Sequence, residues 1–137
     1  MPRAIARKGA LPRAVSASDK VTVEAAALTK ATLRAAEKLG LKNRVLASII
    51  GISEPTVSRM SKGAYFLQPD EKSFELSALF VRLYRSLDAI VGGDEKVARS
   101  WFTNHNSALE DTPINLVQKV SGLIHVIQYL DSRRARI

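Results

Sequence analysis

The sequence contains no cysteine, only two histidines, and few aromatic residues, which make up 6% of its 137 positions. The absence of cysteine excludes disulfide bonds, thiolate nucleophiles and cysteine-based zinc sites. His105 and His125 have no acidic or cysteine neighbours at the spacing that metal ligands need. We therefore predict neither a metal site nor a cofactor.

Long apolar runs are also missing. The longest, "LASIIGI", is far shorter than the roughly 20 apolar residues that a membrane-spanning helix needs. Residues 1–20 lack the apolar centre of a signal peptide. We expect a cytoplasmic protein without a membrane partner.

Positive charge is concentrated in the first half of the chain. Residues 1–69 contain twelve Lys/Arg and four Asp/Glu, whereas residues 70–137 contain nine of each, which gives the net charge of +8. Such asymmetry favours a first half that binds a polyanion, joined to a neutral second half that serves another interaction. A solvated basic surface with a disordered tail is the alternative interpretation of charge alone.

The apolar spacing predicts an all-α protein, because no segment alternates with a period of two. A helix begins at Val23, two short helices cover 43–50 and 53–61, and a long helix covers 70–91. "GG" at positions 92 and 93 ends the long helix. We predict three segments: a flexible basic arm over 1–22, a helical bundle over 23–92 and a second helical lobe over 93–137.

The stretch "LASIIGISEPTVSRMSKG", residues 46–63, has the spacing of a helix-turn-helix. Ala47 and Gly51 provide the small side chain and the permissive turn residue that two steeply crossing helices need. Ser53 is expected to cap the second helix, with Val57 and Met60 facing inwards.

The opposite face of the second helix is then exposed to a DNA groove. Arg59 suits a forked pair with guanine and Glu54 suits a cytosine amino group. The side chains that better suit phosphate contacts are Thr56, Ser58, Lys62, Asn43 and Arg44. Two core helices with a polar outer face are the alternative. The predicted DNA-binding residues are Asn43, Arg44, Ser53, Glu54, Pro55, Thr56, Ser58, Arg59 and Lys62.

The segment "RVLASIIGISEPTVSRMSKG" resembles the Xre family in its placement of Ala, Gly and Thr-Val-Ser-Arg. The resemblance implies a small helical bundle that binds a two-fold operator as a homodimer. Glu54 departs from the family pattern, because neutral polar residues are common at that position.

The segment "ARSWFTNHNSALEDTPINLVQKVSGLIHVIQYLDS" looks like the toxin-binding domain of Xre/MbcA/ParS-type antitoxins. The shared order is a tryptophan, Asn-x-Ala-Leu, a proline-initiated helix, and a glycine before the last helix. This resemblance implies toxin-binding roles for Trp101, Asn106 and Leu109. It also implies a RES-domain toxin, of a class that consumes NAD, whose cofactor entrance the antitoxin blocks.

Two departures from that pattern are visible, since Glu110-Asp111 stands where a glycine commonly follows Ala-Leu, and Phe102 replaces the usual leucine. From the residues alone, the large apolar side chains of this segment are predicted to be buried, because residues of these types usually lie inside. They are Trp101, Phe102, Leu109, Leu116, Leu123, Ile127 and Leu130.

The tail "DSRRARI" allows two interpretations. Cations at a helix C-terminus complement the helix dipole and often do nothing more. Alternatively, Arg133, Arg134 and Arg136 enter an acidic or phosphate-binding cleft of the toxin.

An enzyme is not expected, because His105 has polar neighbours but no nucleophile, phosphate loop or metal set near it in the sequence. We predict an antitoxin whose first half binds operator DNA and represses its own promoter. A stand-alone Xre-type repressor with a dimerising C-terminal lobe is the alternative, and it differs in lacking a stoichiometric partner.

Overall fold

The structure, a computed structural model, describes residues 17–135. Over this range the chain forms seven helices and no strand, which confirms the predicted all-α class. The helices are α1 (Ala17–Lys38), α2 (Asn43–Ile50), α3 (Glu54–Ser61), α4 (Lys72–Val91), α5 (Glu95–Thr103), α6 (Pro113–Leu116) and α7 (Val120–Ala135).

Helix α1 begins at Ala17, six positions before the predicted start at Val23. Residues 17–22, which we assigned to the flexible arm, are therefore helical. Once a helix is nucleated, each added residue gains a backbone hydrogen bond, so an end turn needs no apolar periodicity of its own. The rest of the predicted arm, residues 1–16, lies outside the described residues.

Helices α2 and α3 pack on each other as the helix-turn-helix spacing predicts. Gly51 ends α2 in a left-handed conformation with φ of 75°, and its N–H donates to the carbonyl of Ala47. A Cβ at Gly51 would lie 3.3 Å from the Cδ1 of Leu76 on α4. Glycine is therefore favoured here both by the backbone conformation and by the close approach of α4.

Helix α4 is the central element of the fold. It packs against α1 and α2, which precede it in the chain, and against α5 and α7, which follow it. Its buried side chains include Phe80, Leu83 and Leu87, which belong to a single apolar core that runs from Ala35 to Leu130. The core is thus continuous across the predicted lobe boundary at Gly93.

The short turn between α6 and α7 depends on a close backbone contact. A Cβ at Gly122 would lie 1.9 Å from the carbonyl oxygen of Leu116. No side chain avoids such an overlap without a shift of the backbone, so Gly122 allows α7 to pack beside α6. Thr112 caps α6 by accepting from the N–H of Asn115, as predicted from Thr112-Pro113.

Five of the seven side chains predicted as core in this lobe are buried: Phe102, Leu109, Leu123, Ile127 and Leu130. Trp101 and Leu116 also pack against the core but are only half-buried, so the prediction of burial is met in part for these two. Trp101 is on α5, and its indole stacks on Tyr129 of α7. Leu116 is the last residue of the short helix α6.

Candidate nucleic-acid and partner interfaces

The outward face of α3 is polar because its two apolar side chains point into the core. Val57 and Met60 are 0% and 2% exposed, as predicted. Most of the predicted DNA-binding residues of this segment are exposed, and Thr56 and Ser58 are half-buried: Ser53, Glu54, Pro55, Thr56, Ser58, Arg59 and Lys62. The structure therefore brings these seven residues to one short helix and its caps.

Ser53 is the N-cap of α3, and its hydroxyl accepts a hydrogen bond from the backbone N–H of Thr56 at 3.2 Å. The hydroxyls of Ser53 and Thr56 are also hydrogen-bonded to each other at 2.8 Å. The Nη2 of Arg59 donates to the hydroxyl of Thr56 at 2.9 Å. Three side chains thus form a hydrogen-bonded row along the exposed face of α3.

The acidic side chain of Glu54 has a structural explanation. Glu54 occupies the first turn of α3, where a negative charge complements the positive end of the helix dipole. Asn43 and Arg44 lie in the first turn of α2 and are exposed, so the first helix of the pair also offers polar groups.

Tyr65 follows α3 and packs against the core. Its hydroxyl donates to Glu71 Oε1 at 3.3 Å. Burial, followed by the nearby carboxylate of Glu71, raises the pKa of Tyr65 above its ordinary value. The phenol therefore stays neutral over a wider pH range and holds the loop after α3 to the start of α4.

A partly open apolar groove lies between the end of α4, α5 and α7, and we call it the α4–α5–α7 groove. Its volume is about 320 Å³. Its lining residues are Leu87, Ile90, Val91, Val97, Trp101, Tyr129, Leu130 and Arg133. Val97 at its rim is 49% exposed.

Aromatic and cationic side chains form one wall of this groove. The rings of Trp101 and Tyr129 are stacked, with centroids 6.4 Å apart and planes inclined by 14°. The guanidinium carbon of Arg133 lies 5.9 Å from the centroid of the Tyr129 ring. Half-exposed aromatics beside an arginine are typical of protein interfaces.

The contacts of Arg134 differ from those of Arg133. Arg134 Nη1 donates to the hydroxyl of Ser86 at 3.2 Å, and Ser86 in turn donates to Asp131 Oδ1 at 3.2 Å. Asp131 also pairs with Arg82. Arg134 thus contributes to the contact between α4 and α7, and Arg136 lies outside the described residues.

Asn106 and Leu109 lie in the loop before α6 and away from the groove lining. The Oδ1 of Asn106 accepts from the backbone N–H of Leu109 at 3.1 Å, and the side chain of Leu109 is 6% exposed. Both residues shape the loop. Of the predicted toxin-binding residues, the structure brings together Trp101 and Arg133.

Sequence reasoning did not single out Val97 and Tyr129, although both line the groove beside Trp101. The pair Tyr129 and Arg133 has i, i+4 spacing on one helix, which is the spacing that places side chains together. No local signal marked Val97, because its exposure depends on how α5 packs against distant helices.

Comparison with known families separates the chain into two matched parts. The antitoxin Xre-like helix-turn-helix domain matches residues 21–82, and the antitoxin Xre/MbcA/ParS C-terminal toxin-binding domain matches residues 86–136. The chain combines the two domains of Xre-type antitoxins. The two matches meet within α4, and the α4–α5–α7 groove lies in the toxin-binding domain.

A comparison with curated proteins finds no match to this chain. The two domains of the Xre-type antitoxin imply DNA and a toxin as partners. None of the helices described over residues 17–135 is long and apolar enough to span a membrane.

Proposed function

We propose that this protein neutralises a RES-domain, NAD-degrading toxin and binds operator DNA, as a homodimer, to repress its own promoter. The toxin-binding domain and the partly open groove within it support the first activity. The Xre-like domain and the exposed polar face of α3 support the second. The RES class of the toxin and the homodimer are proposed from the family resemblance of the sequence.

The observation that carries the proposal for toxin binding is the apolar groove with Trp101, Tyr129 and Val97. A partner that covers these side chains removes apolar surface from water, which contributes about 25 cal/mol for each Å² buried. Arg133 at the same wall offers a cation to an acidic group of the toxin. This arrangement fits an apolar anchor surrounded by polar contacts.

Val97→Asp tests this proposal in the full-length chain, because the side chain is half exposed and its replacement leaves the core intact. Val120→Asp is the matched control, since Val120 is 58% exposed in the same domain and lies outside the groove lining. Tagged proteins are recovered from source cells, and bound proteins are identified by mass spectrometry. Each partner is then separated under denaturing conditions, refolded and assayed for NAD loss.

The expected result is one stoichiometric partner that consumes NAD, held by the wild-type chain and by Val120→Asp and lost with Val97→Asp. A partner that is retained equally by both variants would place the toxin-binding surface elsewhere. If the wild-type chain recovers no stoichiometric protein, the stand-alone repressor is the better explanation.

Operator binding is tested with Arg59→Ala and a mobility-shift titration on DNA from upstream of the protein's own gene. We expect weaker binding together with loss of preference for that DNA over an unrelated duplex, because a forked arginine contact to guanine discriminates bases by about 1–3 kcal/mol. Unchanged affinity and preference would contradict the assignment of Arg59.

A further inference from the structure

The hydroxyl of Thr56 lies in the middle of the row that joins Ser53 to Arg59. It is bonded to the Ser53 hydroxyl at 2.8 Å and accepts from Arg59 Nη2 at 2.9 Å. Thr56 is half-buried, whereas Arg59 is exposed. The N-cap residue Ser53 therefore holds the side chain of Thr56, and Thr56 in turn holds the guanidinium of Arg59.

An unrestrained arginine side chain samples many rotamers, and ordering it on a ligand costs about 2 kcal/mol of conformational entropy. In this structure the bond to Thr56 occupies one of the five guanidinium N–H groups of Arg59. Four donors stay available for a planar, forked contact. No ion pair to another described side chain competes for them.

We propose that Thr56 is a positioning residue that orients the guanidinium of Arg59 for base recognition. This role differs from the phosphate contact that the sequence suggests for Thr56. A phosphate contact strengthens binding to any DNA sequence, whereas a positioning role strengthens binding only where Arg59 meets its base. The inference rests on the proposed operator binding.

Thr56→Val removes the hydroxyl and keeps the branched shape of the side chain, and Thr56→Ser keeps the hydroxyl and removes the methyl group. Each variant is made in the full-length chain, alone and together with Arg59→Ala. The probes are a duplex selected by the wild-type protein from a randomised pool and an unselected duplex of equal length. Dissociation constants are measured at one fixed salt concentration, because phosphate contacts depend on salt.

Thr56→Val is expected to weaken binding to the selected duplex about five- to tenfold and to leave binding to the unselected duplex unchanged. Thr56→Ser is expected to restore most of the loss. In the Arg59→Ala background, Thr56→Val is expected to have no further effect, because the group it positions is absent. Thermal unfolding of each variant separates these effects from loss of folded protein, and Thr56→Ala replaces Thr56→Val if the latter does not fold.

The outcomes distinguish this inference from the proposed function. If Thr56→Val weakens both duplexes equally, or acts fully in the Arg59→Ala background, the positioning role is overturned while operator binding stands. If the wild-type chain selects no sequence from the pool, sequence-specific operator binding and the role of Thr56 fail together.

Discussion

Replacing Glu110 with glycine is expected to stabilise the protein. Glu110 is the one non-glycine residue with a positive φ, 64°, among the residues that the structure describes. It closes a tight turn in which its N–H donates to the carbonyl of Asn106 at 2.7 Å, and Asn106 pairs with Asp111 across the turn. The side chain of Glu110 makes no contact that would offset this backbone conformation, because it is exposed and forms no ion pair with a described residue.

The magnitude follows from two opposing terms. A residue with a Cβ pays about 1–2 kcal/mol to adopt the left-handed conformation. Glycine avoids that cost but loses about 0.5–1 kcal/mol more backbone entropy on folding than alanine does. Subtracting the second range from the first leaves about 0–1.5 kcal/mol in favour of Glu110→Gly, with a centre at about 0.75 kcal/mol. That central gain corresponds to a rise of about 2–4 °C in Tm for a chain of this size.

The assay is urea unfolding followed by circular dichroism, with Glu110→Ala as the control. Alanine removes the carboxylate but keeps the Cβ, so its stability should stay within about 0.5 kcal/mol of the wild type. Equal gains in the two variants would show that the charge, and not the backbone conformation, causes the effect. A glycine variant no more stable than the wild type would refute the argument from strain.

Four further predictions concern close packing and the buried core. Gly122→Ala is expected to lower the unfolding free energy by about 3 kcal/mol, because the new Cβ would overlap the carbonyl of Leu116. A loss below about 1 kcal/mol in a urea titration would contradict this close contact. Thr29→Val is expected to cost about 1–3 kcal/mol, because the Thr29 hydroxyl accepts from the buried N–H of Leu67 at 2.9 Å. Ser77→Ala should be neutral or stabilising by up to about 1 kcal/mol, because the buried Ser77 hydroxyl has no hydrogen-bond partner among the described residues. The same titration tests both, and an equal loss in the two variants would contradict this reasoning. Because the core is continuous, we expect the whole protein to unfold in one transition. Fluorescence of the only tryptophan and the helical circular dichroism signal should then give the same unfolding midpoint, and different midpoints would show that the two halves unfold independently.

The helix bounds and caps that depend on residues close together in the chain were predicted correctly from the sequence. Helix α2 covers Asn43–Ile50 as predicted, and Ser53 and Thr112 cap their helices as predicted. These features depend on residues within one or two turns of each other, such as a polar side chain followed by proline. The same holds for the inward side chains of α3, which follow from a spacing of three.

Features that depend on distant packing could not be predicted in this way. Trp101 and Tyr129 are 28 positions apart in the sequence, and their stacking depends on how α5 and α7 both pack on α4. The bond between Arg134 and Ser86 likewise joins two helices, so a tail arginine that looks available in the sequence is engaged in the structure. At Glu110 the sequence shows only a missing glycine, whereas the structure shows that the backbone keeps the conformation glycine would favour.

The shared helix α4 determines how the two domains affect each other. It packs with α1 and α2, and its last turns line the α4–α5–α7 groove, all around one core. A ligand that binds only the folded state stabilises the whole cooperative unit, by about 2.7 kcal/mol when its concentration is one hundred times Kd. A partner in the groove therefore stabilises α2 and α3 without touching them. Cutting the chain at Gly93 would remove α5 and α7 from the buried side of α4, so point variants in the full-length chain are the sound way to separate the two surfaces.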